Sequence, residues 1–229
     1  MDLAMKYKAI VFDLDGTILD TLRDLAESVN LMLAKNGFPV HDVDSYRMRI
    51  GNGARNLVRQ ALPAELGVSE AELDCLLAEF KVIYGLHDMD TTCPYDSVVD
   101  VLESLAMRGV PMAVCSNKPH DATVKLVGHF FREGLFNVVC GEKEGVPRKP
   151  NPAGPLWIAE CLGLPPKEIL FVGDSGSDML TGVAARMVPV GVSWGLRDRV
   201  ELLENGAVFV ADQPEEIVEF FFSSEKLEE

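Results

Sequence analysis

Asp13, Asp15, Ser116, Asn117, Lys149, Asp174 and Asp178 come from well-separated segments, yet each follows an apolar run or sits in a Pro-flanked loop. Asp13-Leu14-Asp15-Gly16-Thr17 follows 9–12, Ser116-Asn117 follows 110–115, and Asp174 with Asp178 follows 169–173; Lys149 lies in Pro147-Arg148-Lys149-Pro150. Carboxylates brought close together cannot all stay ionised without a cation. Oxygen donors unaccompanied by Cys or His select a hard metal, Mg²⁺ first, and such an ion keeps waters and accepts a substrate phosphate. Lys149 adds a second positive charge and Ser116 a hydroxyl donor, a set that suits a phosphoryl oxygen better than a sugar hydroxyl or a carbonyl. Asp13 is fitted to be a nucleophile, because a carboxylate can form an aspartyl phosphate. Asp15 is fitted to protonate the leaving oxygen and then to deprotonate the attacking water. Residues two apart in an extended chain point the same way, and Gly16 lets the backbone turn toward the bound group.

Elements must exist to bring these residues to one rim. Continuous apolar runs at 9–12, 110–115, 136–140, 169–172, 188–192 and 207–210 read as strands buried on both faces. Helical patterns lie between them: 96–108, with Val98, Val99, Leu102 and Leu105 as the apolar stripe and Gly109 as its stop, and 152–162, stopped by Gly163. Alternation of this kind predicts an α/β fold, a Rossmann-like parallel sheet whose ligands bind at the carboxyl ends of the strands. The stretch from about 20 to 86 breaks the alternation and reads as helices only, including 21–35 and a helix opened by the capping box Ser69–Glu72. It is expected to be an all-helical cap inserted into the core, giving a core of 1–18 and 91–229 and a cap of 19–90. Gly51-Asn52-Gly53 fits a cap loop that closes over the substrate, or a plain turn between helices. It is not a dinucleotide fingerprint, since Asn56 stands where a third glycine is needed. A calcium loop at Asp13 is excluded because Ile18 occupies its glycine position.

The 229 residues carry a net charge of −15, which disfavours nucleic acid as a partner. No apolar run is long enough to span a bilayer, and the residues Met1 to Lys6 lack a secretory pattern. Cys75, Cys93, Cys115, Cys140 and Cys161 show no paired spacing and read as buried reduced thiols of a cytoplasmic protein, not a zinc site. Arg47, Arg49 and Arg55 could meet a substrate carboxylate or be solvated. The end of the chain, 223–229, reads as a frayed polar tail.

Taken in order, Asp13-Leu14-Asp15-Gly16-Thr17, Ser116-Asn117, Lys149-Pro150 and Gly173-Asp174-Ser175-x-x-Asp178 resemble the four motifs of the haloacid dehalogenase-like (HAD) hydrolase superfamily. The likeness spans essentially the whole chain and extends to the branch with a helical cap after the first motif. Arg49 to Leu57 and Val190 to Gly195 are similar to segments of phosphoglycolate phosphatases. The resemblance implies Asp13 as phosphorylated nucleophile and metal ligand, and Asp15 as acid/base that also binds Mg²⁺ through its backbone carbonyl. It implies Thr17, Ser116, Asn117 and Lys149 on the phosphoryl group, Asp174 on the metal, and Asp178 behind it. The function so implied is Mg²⁺-dependent hydrolysis of a small phosphorylated metabolite, 2-phosphoglycolate first, by a monomer or homodimer. A phosphosugar mutase, nucleotidase or pyrophosphatase, or a non-catalytic regulatory module of the same fold, are the alternatives.

Overall fold

The computed structural model describes residues 6–223, so most of the expected tail and the residues 1–5 lie outside the described residues. Six parallel strands form one sheet: β1 (Ala9–Phe12), β4 (Met112–Pro119), β5 (Val138–Glu142), β6 (Ile169–Gly173), β7 (Val188–Val192) and β8 (Phe209–Ala211), in the order β5-β4-β1-β6-β7-β8. The strands are apolar on both sides because both sides are covered. Ile10, Phe12, Met112, Val114, Leu170 and Val172 face one way, toward α4 (Val98–Met107), α5 (His120–Phe130) and α9 (Glu215–Ser223). Ala9, Val11, Ala113, Cys115, Ile169 and Phe171 face the other, toward α6 (Ala153–Leu162). α7 (Gly176–Ala184) packs on β6 and β7, and α8 (Arg199–Glu204) on β7 and β8.

Several expectations shift by a residue or more. β4 runs on through Ser116, Asn117 and Lys118 to Pro119, where 110–115 was expected; its polar end is buried because it faces other polar groups. β8 starts two residues later than expected, because Ala207 N donates to Leu202 O and closes α8. On α4 the buried stripe is Val98, Val101, Leu102 and Leu105, the i, i+3, i+4, i+7 positions; Val99 falls off it and is 38% exposed. Cys75, Cys93 and Cys161 are exposed rather than buried, and only Cys115 and Cys140 are interior. No helix among the described residues is long and apolar enough to cross a membrane.

Between β1 and α4 the chain makes a helical layer. α1 (Leu22–Lys35), α2 (Ala54–Ala61) and α3 (Glu70–His87), with a 3-10 segment at Val43–Met48, enclose their own apolar cluster, including Leu25, Val29, Met32, Tyr46, Leu57 and Phe80. Ser69 and Glu72 form the capping box that starts α3. The two crossings to this layer are β2 (Leu19–Asp20) and β3 (Cys93–Pro94), which pair with each other antiparallel. Beside them the buried Asp24 carboxylate accepts from Thr91 N at 3.0 Å and Thr92 N at 2.8 Å, and from their hydroxyls at 2.5 and 2.7 Å. Burial alone would raise this carboxyl, but these donors outweigh it and hold Asp24 below the ordinary aspartate range. Replacing Asp24 by Ala removes the partner of two backbone N–H groups and two hydroxyls, those of Thr92 being buried. The expected loss is about 2–4 kcal/mol, read as a fall in Tm of roughly 5–15 °C; a Tm within two degrees of wild type would contradict this role.

Candidate active site

The carboxyl ends of β1 and β4 open on a cavity of about 340 Å³ between the sheet and the helical layer. Its sheet side is lined by Asp13, Asp15, Ser116, Asn117 and Lys118, its helical side by Leu25, Ile50, Leu57, Phe80 and Tyr84, with Gly51 and Gly53 at the edge.

Lys149 and three aspartates form a buried cluster that meets the cavity at Asp13. Lys149 Nζ lies 2.7 Å from Asp13 Oδ1 and 2.7 Å from Asp178 Oδ1, and all are buried. Asp13, Asp174 and Asp178 bring carboxylate oxygens within 4.8 Å of one another, the one such metal-capable cluster among the described residues. Asp178 is fully committed: its other oxygen accepts from Ser175 N at 3.1 Å and from the Ser175 hydroxyl at 2.5 Å, closing a capping box on α7. Asp174 accepts from Leu196 N at 2.8 Å and from the Thr17 hydroxyl at 3.3 Å. Gly16, at φ +84°, is required here, since a Cβ would collide with the Asp174 carboxylate. The peptide before Pro150 is cis.

Three carboxylates against one ammonium leave negative charge uncompensated. Burial, together with repulsion from Asp178 and Asp174 and despite Lys149, raises the Asp13 carboxyl well above the ordinary range. Burial and then Asp178 push Asp174 up to about 7, against the hydrogen bond from Leu196. Burial opposes the Lys149 charge, but Asp13 and Asp178 prevail and hold it above the usual lysine range. This donor set, all oxygen and short of positive charge, fits a hard divalent cation on Asp13 and Asp174.

Asp15 lines the same cavity as Asp13. Its Oδ1 accepts from the Thr21 hydroxyl at 2.7 Å and from Lys118 Nζ at 2.8 Å. β1 ends at Phe12, so the two carboxylates line one cavity from a turn and answer to different lysines. Ser116 Oγ accepts from Lys118 N at 3.1 Å. Two expected phosphate contacts are otherwise engaged. The Thr17 hydroxyl orients Asp174 instead of reaching the cavity. The Asn117 amide brackets the Lys149 backbone, accepting from its N at 2.8 Å and donating to its O at 3.1 Å, and also reaches Gly51 O at 3.0 Å. Asn52 is exposed, and its carbonyl accepts from Arg148 at 3.3 Å.

Arg47, Arg49 and Arg55 do not line the cavity. Arg47 donates to Gly195 O at 3.0 Å, Arg49 to Ser45 O at 2.7 Å, and Arg55 pairs with Glu70 at 2.6 Å and with Asp74. Lys118 and Arg197 went unnoticed in the sequence. Buried Arg197 donates to the carbonyls of Arg47, Met48 at 3.3 Å and Ile50 at 2.9 Å, fastening the 47–50 backbone to the sheet end. Its sequence signal is weak, one arginine in a polar loop. For Lys118 the signal was adjacency to Ser116-Asn117.

A family model for haloacid dehalogenase-like hydrolases matches residues 7–186, and the chain belongs to that family. Within it the chain is phosphoglycolate phosphatase-like. It is 35% identical over 208 residues to phosphoglycolate phosphatase 1 of Pseudomonas aeruginosa, covering 90% of this chain and 76% of that protein. It is 32% identical over 212 residues to the phosphoglycolate phosphatase of Haemophilus influenzae, covering 90% and 95%. Among solved structures, a Lactobacillus delbrueckii subsp. bulgaricus protein provisionally assigned as a phosphoglycolate phosphatase superposes with a TM-score of 0.89. That pair is 33% identical, over 95% of this chain and 99% of that one.

The carboxyl shifts set a pH dependence. Between about pH 4, where carboxylates of an unfolded chain titrate, and about 7, the value for Asp174, the fold holds more protons than the unfolded chain. Stability contributed by these groups therefore falls as pH rises through that window. A bound cation removes the repulsion, so Mg²⁺ is expected to raise Tm more at pH 8 than at pH 5, measured by differential scanning fluorimetry. A shift independent of pH would argue against a cation on these carboxylates.

Proposed function

We propose that the chain is a Mg²⁺-dependent phosphomonoester hydrolase working through a phosphorylated Asp13, with 2-phosphoglycolate as its first candidate substrate. The observation that carries this reading is the Asp13–Asp174–Asp178 cluster, short of positive charge, with a fourth carboxylate, Asp15, lining one cavity with Asp13. The phosphoglycolate phosphatases to which the chain is similar supply the substrate name. Asp13 and Asp174, with the backbone carbonyl of Asp15, would hold the ion, which supplies the positive charge that lets an anionic phosphoryl group approach a carboxylate.

In the first half-reaction an Asp13 oxygen attacks phosphorus, the ester P–O bond breaks, and Asp15 gives its proton to the departing oxygen. In the second, Asp15 takes a proton from water, the water oxygen forms the new P–O bond, and the Asp13 carboxylate leaves. Lys149 holds Asp13 in place and faces the charge of the phosphoryl oxygens, with Asp178 fixing its ammonium. Ser116 offers a hydroxyl from the same wall. In this reading residues 1–18 and 91–229 are the catalytic core and 19–90 a cap that excludes water from the cavity. The enzyme acts in the cytoplasm, in keeping with five free thiols.

Asp13→Asn removes the nucleophile but keeps the shape and lightens the local repulsion. Hydrolysis of 2-phosphoglycolate is expected to drop by at least about 10³-fold, with Tm unchanged or raised. Near-wild-type turnover in that variant would refute Asp13 as nucleophile. Chelation by EDTA is expected to silence the wild-type enzyme and added Mg²⁺ to restore it, in a para-nitrophenyl phosphate assay; a rate indifferent to EDTA would rule out the cation.

A further inference from the structure

We propose that Lys118 selects substrates bearing a carboxylate next to the phosphoester, so that it is the specificity-determining residue of the cavity. The proposal rests on the phosphatase reading above and deepens it. Lys118 follows Ser116-Asn117 on β4, is 6% exposed, and contributes to the cavity wall. Its ammonium pairs with Asp15 Oδ1 at 2.8 Å and lies 4.8 Å from the centroid of the Tyr84 ring on the facing helix α3. An ammonium has three donors. Asp15 takes one, which leaves further N–H capacity at the edge of the space between Asp15 and the apolar helical wall.

The position of that ammonium is what names the ligand. As the acid/base, Asp15 must sit within a hydrogen bond of the leaving ester oxygen. Lys118 holds Oδ1 of that carboxylate, which also accepts from Thr21, so the ester oxygen meets Oδ2 and Nζ is at most about 7.8 Å from it, two hydrogen bonds and the width of the carboxylate end to end. A carboxylate on the carbon that bears the ester oxygen puts its own oxygens within about 3.6 Å of it, by ordinary bond lengths. One more hydrogen bond extends that reach to about 6.4 Å, inside the span open to the Lys118 ammonium. A neutral substituent leaves the ammonium with Asp15 and the Tyr84 ring.

The other cations near the cavity are less suited. Lys125 is held by both oxygens of Asp88, at 2.7 and 2.8 Å, and Lys81 is exposed on α3. The arginines of the helical layer are engaged elsewhere. A single buried ammonium against an apolar wall matches one added negative charge, and the low dielectric there strengthens the pairing.

The test compares two substrates in each of two enzymes: 2-phosphoglycolate and ethyl phosphate, which lacks the carboxylate, with wild type and Lys118→Met. The two kcat/KM values are taken on one preparation, so the fraction of folded enzyme cancels in their ratio. Wild type is expected to prefer 2-phosphoglycolate, and Lys118→Met to reduce that preference by about 10- to 100-fold, the usual worth of a charge-assisted hydrogen bond. Lys118→Gln, measured the same way, replaces the methionine variant if that fails to fold. An equal fall on both substrates would show that Lys118 serves only to place Asp15, and no change in ratio would also overturn the proposal. Wild type inactive on both esters and on para-nitrophenyl phosphate would instead bring down the phosphatase reading itself, and this proposal with it.

Discussion

One imbalance of charge governs the molecule. Asp13, Asp174 and Asp178 share a closed space with a single ammonium, Lys149. Uncompensated charge in such a space is costly, and the fold has two ways to relieve it, a proton or a cation. Asp178 has both of its oxygens tied, to Lys149 and to Ser175. The deficit therefore settles on Asp13 and Asp174. Asp13 is the carboxylate that also borders the cavity.

The parallel sheet explains why these groups meet. β1 and β6 are adjacent, so the turns leaving them deliver Asp13 and Asp174 side by side. β4 flanks β1 on the other side and brings Ser116, Asn117 and Lys118. Asn117 then bonds both faces of the Lys149 backbone, so a strand end positions a loop lysine that no strand carries. The same amide reaches Gly51 in the helical layer, as Arg197 and Arg148 do from other loops. The site and the contacts that hold the helical layer over it are built partly from the same residues.

What was legible in the chain follows from these facts. Apolar runs and their helix stops were plain, because burial on two faces leaves continuous hydrophobic segments and Gly109 and Gly163 sit at positive φ where helices end. The acidic and lysine motifs were plain because their types and order are unusual. Partner choice was not. Thr17 and Asn117 have side chains that suit a phosphate equally well, and only the tertiary arrangement turns them onto Asp174 and Lys149. Lys118 was hidden by the expectation that a strand ends where its apolar run ends. Arg47, Arg49 and Arg55 offered the right chemistry for a carboxylate, yet nearby carbonyls and acids claimed them.

The two-stranded ribbon of β2 and β3 has a further consequence. Both chain crossings pass through one point, where Leu19 and Asp20 pair with Pro94 and Cys93 and Asp24 gathers Thr91 and Thr92. If residues 19–90 act as the proposed cap, tethering at this one point lets them swing through an arc without drifting away from their seat. Their effective concentration over the site stays high at any dilution of the protein. In the reading of 19–90 as a cap, its return to the site is an intramolecular event.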